Sequence, residues 1–106
     1  MLKWKKHSFI DISAGDEELT DILAGMAGKN RVIKHIIAPA TANLWIRVYR
    51  DAEQMVDFQC SLFTTHLAIL PVDIPLVEGQ LCKAGFYYSA TSDTSPTIHI
   101  GYEESA

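Results

Sequence analysis

The sequence lacks the features that identify an enzyme or a metal protein. Its four histidines, His7, His35, His66 and His99, are each at least 28 residues from the next, so none forms the closely spaced pair of a cupin-type metal site. It has no nucleophile-elbow motif, no glycine loop between a strand and a helix, and no calcium-loop spacing of acidic residues. We therefore expect no enzymatic activity, no metal and no cofactor.

Cysteine is scarce, and long apolar runs are missing. Cys60 and Cys82 both fall in strand-like runs, where a free thiol packs as a small hydrophobic group, so we interpret them as reduced core residues, with a disulfide as the alternative. No apolar segment of secretion-signal length follows the basic start, and no run is long enough to span a membrane. The simplest expectation is synthesis in a reducing cytoplasm, without membrane contact.

Basic residues are few and unevenly distributed. Lys3, Lys5 and Lys6 are three of the nine, which leaves six basic against thirteen acidic residues in the rest of the chain, a net charge of −7. An acidic body argues against nucleic acid as a partner, because neutralising phosphates takes a basic stripe on the folded domain. We expect residues 1–7 to form a basic N-terminal arm, either a frayed terminus or a tether for an acidic partner.

What the sequence does contain is a set of short alternating runs, the clearest at residues 41–63. Apolar and polar positions alternate on both sides of a polar link at 50–54, and the apolar ones are Leu44, Ile46, Val48, Val56, Phe58, Cys60 and Leu62. Such alternation predicts an antiparallel hairpin with these residues facing one core. If Val48 lies opposite Val56, Arg47 falls opposite Asp57, an opposite-charge cross-strand pair.

The other runs predict further short strands. These are expected at residues 8–12, 31–38, 67–70, 80–88 and 97–102. The run at 31–38 has apolar residues on both faces, as a central strand does. Residues 72–74 lie between Pro71 and Pro75, which places them on a sheet edge or on a crossing between sheets. At 16–24 the i, i+3, i+4 spacing favours a short helix over an irregular strand.

Together these elements predict an all-β fold in a single domain over residues 1–106. Seven or eight short strands with at most one short helix are typical of an antiparallel β-sandwich or a small barrel. The two proline-kinked connections favour chain crossings between sheets, which a jelly roll requires and an up-and-down barrel does not. We therefore expect a jelly-roll β-sandwich.

The side of the hairpin away from the core has an unusual composition. Trp45, Arg47 and Tyr49 project from its first strand, and Met55 and Gln59 project from its second. Because Trp, Tyr, Arg and Met are enriched in protein interfaces, we expect this side to bind a partner. The alternatives are that the N-terminal segment of the same chain covers it, or that it is ordinary amphipathic surface.

Two further binding hypotheses use neighbouring residues. Aromatic rings stack on saccharides, and Gln59 and Asp57 would supply the carboxamide and the acid that a sugar-binding platform needs. The next candidate for a partner surface is the basic start of the chain, with Lys3, Trp4, Lys5 and Lys6.

Taken whole, the chain resembles the small jelly-roll virion proteins of tailed bacteriophages, which decorate or cement capsids. The residues that suggest this are AGK at 27–29 leading into the run 31–37, IPLVEG at 74–79, and HIGYEE at 99–104. The likeness spans most of the chain from Phe9 onward. The lysine-rich start and the two cysteines match no pattern of that family.

The resemblance implies a mechanical function outside a viral shell. A protein of this kind is made in the host cytoplasm, binds the capsid surface of the virion, bridges neighbouring major capsid subunits and stabilises the assembled state by mass action. It would also bind itself, since a symmetric trimer or dimer fits the local axes of a capsid. The competing hypothesis is a β-sandwich module that binds a carbohydrate or another small ligand.

Overall fold

The computed structural model describes residues 2–13, 15–60, 67–89 and 95–105. Across these ranges the chain forms eight β-strands and no α-helix. The strands are β1 (Leu2–Ser8), β2 (Glu17–Ala24), β3 (Asn30–Pro39), β4 (Leu44–Arg50), β5 (Glu53–Gln59), β6 (Leu67–Leu76), β7 (Leu81–Tyr88) and β8 (Thr97–Ser105). The part of the chain described here accordingly has no helix of the length and hydrophobicity needed to cross a bilayer.

The strands form two antiparallel sheets of four strands each. The first sheet has the order β1-β8-β3-β6, and the second sheet has the order β2-β7-β4-β5. β4 and β5 form a central hairpin, around which β3 pairs with β6, β2 with β7 and β1 with β8. The chain is thus one nested hairpin whose successive pairs alternate between the sheets, which is the jelly-roll arrangement. The prediction of an all-β sandwich is confirmed.

The central hairpin has the predicted register. Val48 lies opposite Val56, and Arg47 lies opposite Asp57. The chain reverses at Asp51, whose φ of 54° is in the left-handed region and whose side-chain oxygen Oδ1 accepts a hydrogen bond of 3.0 Å from the Leu81 amide. The register shifts by one residue after Val48, which leaves Met55 as the extra residue of a β-bulge.

The core lies between the sheets, and no polar or charged residue in the described ranges is buried. Leu44, Ile46 and Val48 are fully buried, as the alternation predicts. Cys60 and Cys82 are free cysteines in the same core, and burial raises the pKa of both thiols to about 12. The thiols therefore pack as hydrophobic groups and stay protonated at neutral pH.

The second strand of the hairpin is less buried than expected. Val56 and Phe58 are only half-buried, although Val56 packs against the core, and the expectation for Leu62 lies outside the described residues. The physical reason is position: β5 is an edge strand of the second sheet, so neighbours cover it on one side only. Phe58 nevertheless lies opposite the buried Ile46, so it faces the core as the alternation predicts.

The first strand lies earlier in the sequence than the predicted strand at residues 8–12. Residues 2–8 form β1, which pairs with β8 from Leu2 opposite Glu103 to Ser8 opposite Thr97, while residues 9–12 form only an isolated bridge. The segment expected to be a basic arm is therefore, from Leu2 onward, part of the first sheet. Its sequence hides this because β1 is an edge strand whose side chains are mostly exposed.

The short helix expected at residues 16–24 is absent, and β2 takes its place. β2 pairs with β7, and a register shift between Asp21 and Leu23 allows Leu23 to be buried at a position that a regular strand would turn away. The bulge explains why Leu19, Ile22 and Leu23 have helix-like spacing although they lie in a strand. A helix of two turns is marginal in isolation, so pairing with β7 prevails.

The run at 31–38 lies in a central strand and the proline-flanked segment lies in an edge strand, as predicted. β3 is central, with β8 on one side and β6 on the other. Pro71 and Pro75 lie in β6, the edge strand of the first sheet, where a missing amide donor costs no ladder hydrogen bond on the open side.

Candidate functional site

The outer face of the second sheet carries the residues predicted to bind a partner, and we call it the ionic face. Its strands align side chains in rows that cross the sheet. One row runs Glu17, Tyr87, Trp45 and Gln59, and the next runs Leu19, Gly85, Arg47 and Asp57. The structure therefore brings Trp45, Arg47, Asp57 and Gln59 onto one surface, together with Tyr49 one row further along.

Arg47 is the centre of this face. Its guanidinium donates to Glu17 Oε2 at 2.8 Å and to Asp57 Oδ1 at 3.1 Å, and it lies 4.6 Å from the centroid of the Tyr87 ring. Tyr49 Oη donates to the same Glu17 oxygen at 3.2 Å and accepts a bond of 3.3 Å from the Gln54 side chain. The hydrogen bond to Glu17 is the main reason that the pKa of Arg47 lies above the ordinary value of an arginine. These contacts fix the orientation of the Arg47 side chain.

The sequence pattern does not indicate every residue that belongs to the ionic face. Glu17 was assigned to a helix, and Tyr87 was one of several apolar residues in a run, so neither was linked to Arg47. Met55, expected beside Trp45, packs against the core instead because of the bulge. The N-terminal segment does not cover this face, since β1 belongs to the other sheet.

The outer face of the first sheet is different, and we call it the apolar face. Its rows are formed by Lys6, His99, Ile37 and Ile69, then Trp4, Gly101, His35 and Pro71, then Leu2, Glu103, Val32 and Pro75. Trp4 is 48% exposed and Ile69 is 49% exposed, although both are large hydrophobic residues. Two large hydrophobic residues thus lie half exposed on the same sheet face.

Trp4 lies flat across the middle of this face. Its indole covers Gly101, so a Cβ added at Gly101 would lie 2.8 Å from the Trp4 ring, and it reaches the His35 ring at a centroid distance of 6.4 Å. The Nδ1 atom of His35 is the single buried side-chain polar atom without a hydrogen-bond partner in the described ranges. Glycine at 101 is thus what allows a tryptophan to lie on the sheet rather than stand above it.

The three lysines predicted to act together occupy different positions on β1. Lys6 lies on the apolar face, whereas Lys3 and Lys5 alternate with it, opposite Tyr102 and Ile100. Lys3 donates to Glu104 Oε2 at 2.8 Å, and Arg31 donates to the other oxygen of Glu104 at 2.7 Å. Hydrogen bonds from Lys3 and then Arg31 lower the pKa of Glu104 to about 2. Lys3 thus joins the end of β1 to the sheet.

A groove of about 560 Å³ opens between the edge strands β1 and β2. His7 lies edge-on to Phe9 there, with the ring centroids 4.7 Å apart. The lining residues are His7, Ser8, Phe9, Ile10, Glu17, Glu18, Leu19 and Thr20. The groove thus borders the ionic face through Glu17, whose carboxylate binds Arg47.

Three of the four histidines fall within the described residues, and each lies on a different strand of the first sheet: His7 on β1, His35 on β3 and His99 on β8. Within those residues no group of three His, Cys, Asp or Glu side chains is arranged to hold a metal ion. The position of His66 lies outside the described ranges.

Comparison with known proteins gives no match. No family model matches the chain, and neither a curated protein nor a solved structure matches it.

Proposed function

We propose that this protein is a non-enzymatic structural protein that binds the outside of a bacteriophage capsid and stabilises the shell, with the ionic face as the surface that contacts the major capsid protein. The observation that carries the proposal is that Trp45, Arg47 and Tyr49 project from one strand of the sandwich, with Arg47 and Tyr49 held by Glu17. The jelly-roll strand order supports it as well, because it agrees with the resemblance to virion proteins.

The ionic face suits a contact between separately folded proteins. Such interfaces are about as polar as other protein surface, but they are enriched in Trp, Tyr and Arg at their centre. Arg47 and Tyr49 are already held by Glu17, so little side-chain entropy is lost when a partner binds. Binding only to the assembled shell then stabilises that shell by mass action. In this account the protein is made in the host cytoplasm and ends on the capsid surface.

The test is co-sedimentation with purified capsids. Trp45→Ala should weaken capsid retention by about 1 to 2 kcal/mol, as the loss of an interface anchor does, while the free energy of unfolding changes much less. Val77→Ala is the control, because Val77 is an exposed apolar residue outside the strands. Normal retention of Trp45→Ala, combined with easier unfolding, would assign Trp45 to the stability of the sandwich and remove the proposal's main support.

A second candidate function is carbohydrate binding, and one observation favours it. Trp45 and Tyr87 are neighbours in a row that ends in Glu17 on one side and Gln59 on the other. Arg47 already covers the Tyr87 ring, which leaves Trp45 as the ring on which a sugar would stack. A glycan array probed with the wild-type chain and with Trp45→Ala separates the two: signals that the substitution removes, without capsid retention, favour the sugar-binding function.

A further inference from the structure

We propose that the apolar face binds the same face of a second copy of this chain, so that the protein is a two-fold symmetric dimer built by stacking its first sheets. The inference is independent of what the ionic face binds. It rests on the composition of the apolar face, on its charge, on its size and on the way the sheet edges are protected.

The composition is that of a covered sheet. β3 and β6 carry apolar residues on both sides: Ile36 and Ala68 face the core, while their neighbours Ile37 and Ile69 lie opposite each other on the outer face. Strands with apolar residues on both faces are normally buried on both faces. In a single chain the outer side of the sheet is left exposed, with Ile69 on β6 and Trp4 on β1 each about half accessible.

The charge favours a second copy over an oppositely charged partner. The chain carries a net charge of −4, yet the charged side chains of the apolar face cancel: Lys6 and Lys34 against Asp73 and Glu103. Lys34 is already paired with Asp73 at 2.9 Å. Two copies can therefore meet at this face without net repulsion, which is not expected for other parts of an acidic chain.

The placement of the remaining two charges is self-complementary. Lys6 lies on β1 one row to one side of Trp4, and Glu103 lies on the neighbouring strand β8 one row to the other side. A two-fold axis along the row of Trp4 and Gly101 exchanges these two outer rows. Each Lys6 then comes over the row that holds Glu103 of the second copy, and the contact is isologous.

The size of the face favours a partner that covers all of it. Four strands of about seven residues cover roughly 19 by 23 Å, or about 440 Å² before side-chain relief is added. Stable interfaces bury about 800 Å² of accessible surface per partner, and obligate dimers are the more apolar ones. A loop or a single peptide strand would cover only part of the face, whereas another flat sheet of equal size covers all of it.

Growth along the sheet edges is blocked, which leaves the faces. β1 carries lysines, β6 carries Pro71 and Pro75, and β2 and β5 each have a bulge. All of these are devices that discourage further strand pairing.

The test is analytical ultracentrifugation of the full chain over micromolar concentrations. The wild type should sediment as a dimer, and Ile69→Lys should weaken the dimer about 30-fold, as the loss of a well-buried interface residue does. Ile10→Lys is the matched control, because Ile10 is 79% exposed and lies outside the apolar face, and it should dimerise normally. A monomeric or trimeric wild type, or an Ile69→Lys variant that dimerises normally, would overturn the proposal.

A charge reversal tests the axis without altering the apolar residues. Lys6→Glu alone should weaken the dimer, and adding Glu103→Lys in the same chain should restore most of the loss, since the pairs re-form with exchanged signs. Circular dichroism of each variant checks that the sandwich is intact. If the double variant dimerises no better than Lys6→Glu alone, the proposed axis is wrong and so is the stacked arrangement built on it.

Discussion

The two outer faces of this sandwich arrange their outward side chains in different ways. On the ionic face, polar and aromatic side chains bind one another, with Arg47 held by Glu17 and Asp57 above the Tyr87 ring. On the apolar face, Trp4 lies across Gly101, and Ile69 is left half exposed. The charged groups of the first face are paired within one chain, whereas the second face leaves large apolar side chains exposed, which is why we propose a second copy as its cover. Similar enrichment in aromatic residues can therefore accompany two different kinds of sheet surface.

The largest expected difference between the two faces comes from substituting the glycine in the middle of each. At Gly85 an added Cβ would fall on the backbone carbonyl oxygen of Glu18, which cannot move without breaking the pairing of β2. At Gly101 it would meet only the Trp4 side chain. Gly85→Ala should cost about 3 kcal/mol in urea unfolding, and Gly101→Ala should cost less while changing Trp4 fluorescence. Equal costs would show that the two sites are equally constrained.

The charge network on the ionic face can be set against the isolated pair on the apolar face. Arg47→Ala removes two charge-assisted hydrogen bonds and a ring contact, so it should lower the free energy of unfolding by about 1 to 2 kcal/mol. In dilute, monomeric protein, Lys34→Ala removes a single exposed pair with Asp73 and should leave the unfolding midpoint unchanged. Urea titrations of both variants in parallel measure the difference. A larger effect for Lys34→Ala would contradict the network account.

A smaller effect concerns the pH dependence of stability. Lys3 and Arg31 lower the pKa of Glu104 to about 2 from an ordinary value of 4.5. A depressed carboxyl pKa contributes stability above the ordinary pKa, and this contribution is lost as the pH falls from about 4.5 toward 2. Glu104→Gln should therefore unfold more easily at pH 7 and show a flatter loss of stability in that window. Thermal melts between neutral and acid pH, with Glu78→Gln as the control because Glu78 is exposed and lies outside the strands, test this.

Much of the second sheet could be predicted from the sequence. The hairpin register followed from alternation and one charge pair, because a slip of one residue would turn every apolar side chain outward. What could not be predicted is which strands lie beside the hairpin. Glu17 and Tyr87 come from β2 and β7, and only the sheet order places them next to Arg47.

The first sheet was harder, for physical reasons. β1 is an exposed edge strand, so its lysines do not reveal its pairing with β8. The apolar face did leave a signal: the run at 31–38 is apolar on both sides, which predicts a strand covered on both sides. The pattern is typical of a central strand within one chain, and it also fits a face covered by a second chain.

The measurement that tests the difference between the faces most directly is quenching of the two tryptophans by acrylamide, one at a time. Trp45→Phe leaves Trp4 as the reporter of the apolar face, and Trp4→Phe leaves Trp45 as the reporter of the ionic face. As protein concentration rises, Trp4 should become protected from acrylamide, while the quenching of Trp45 stays constant. Protection of Trp45 instead, or constant quenching of Trp4 at every concentration, would contradict the account.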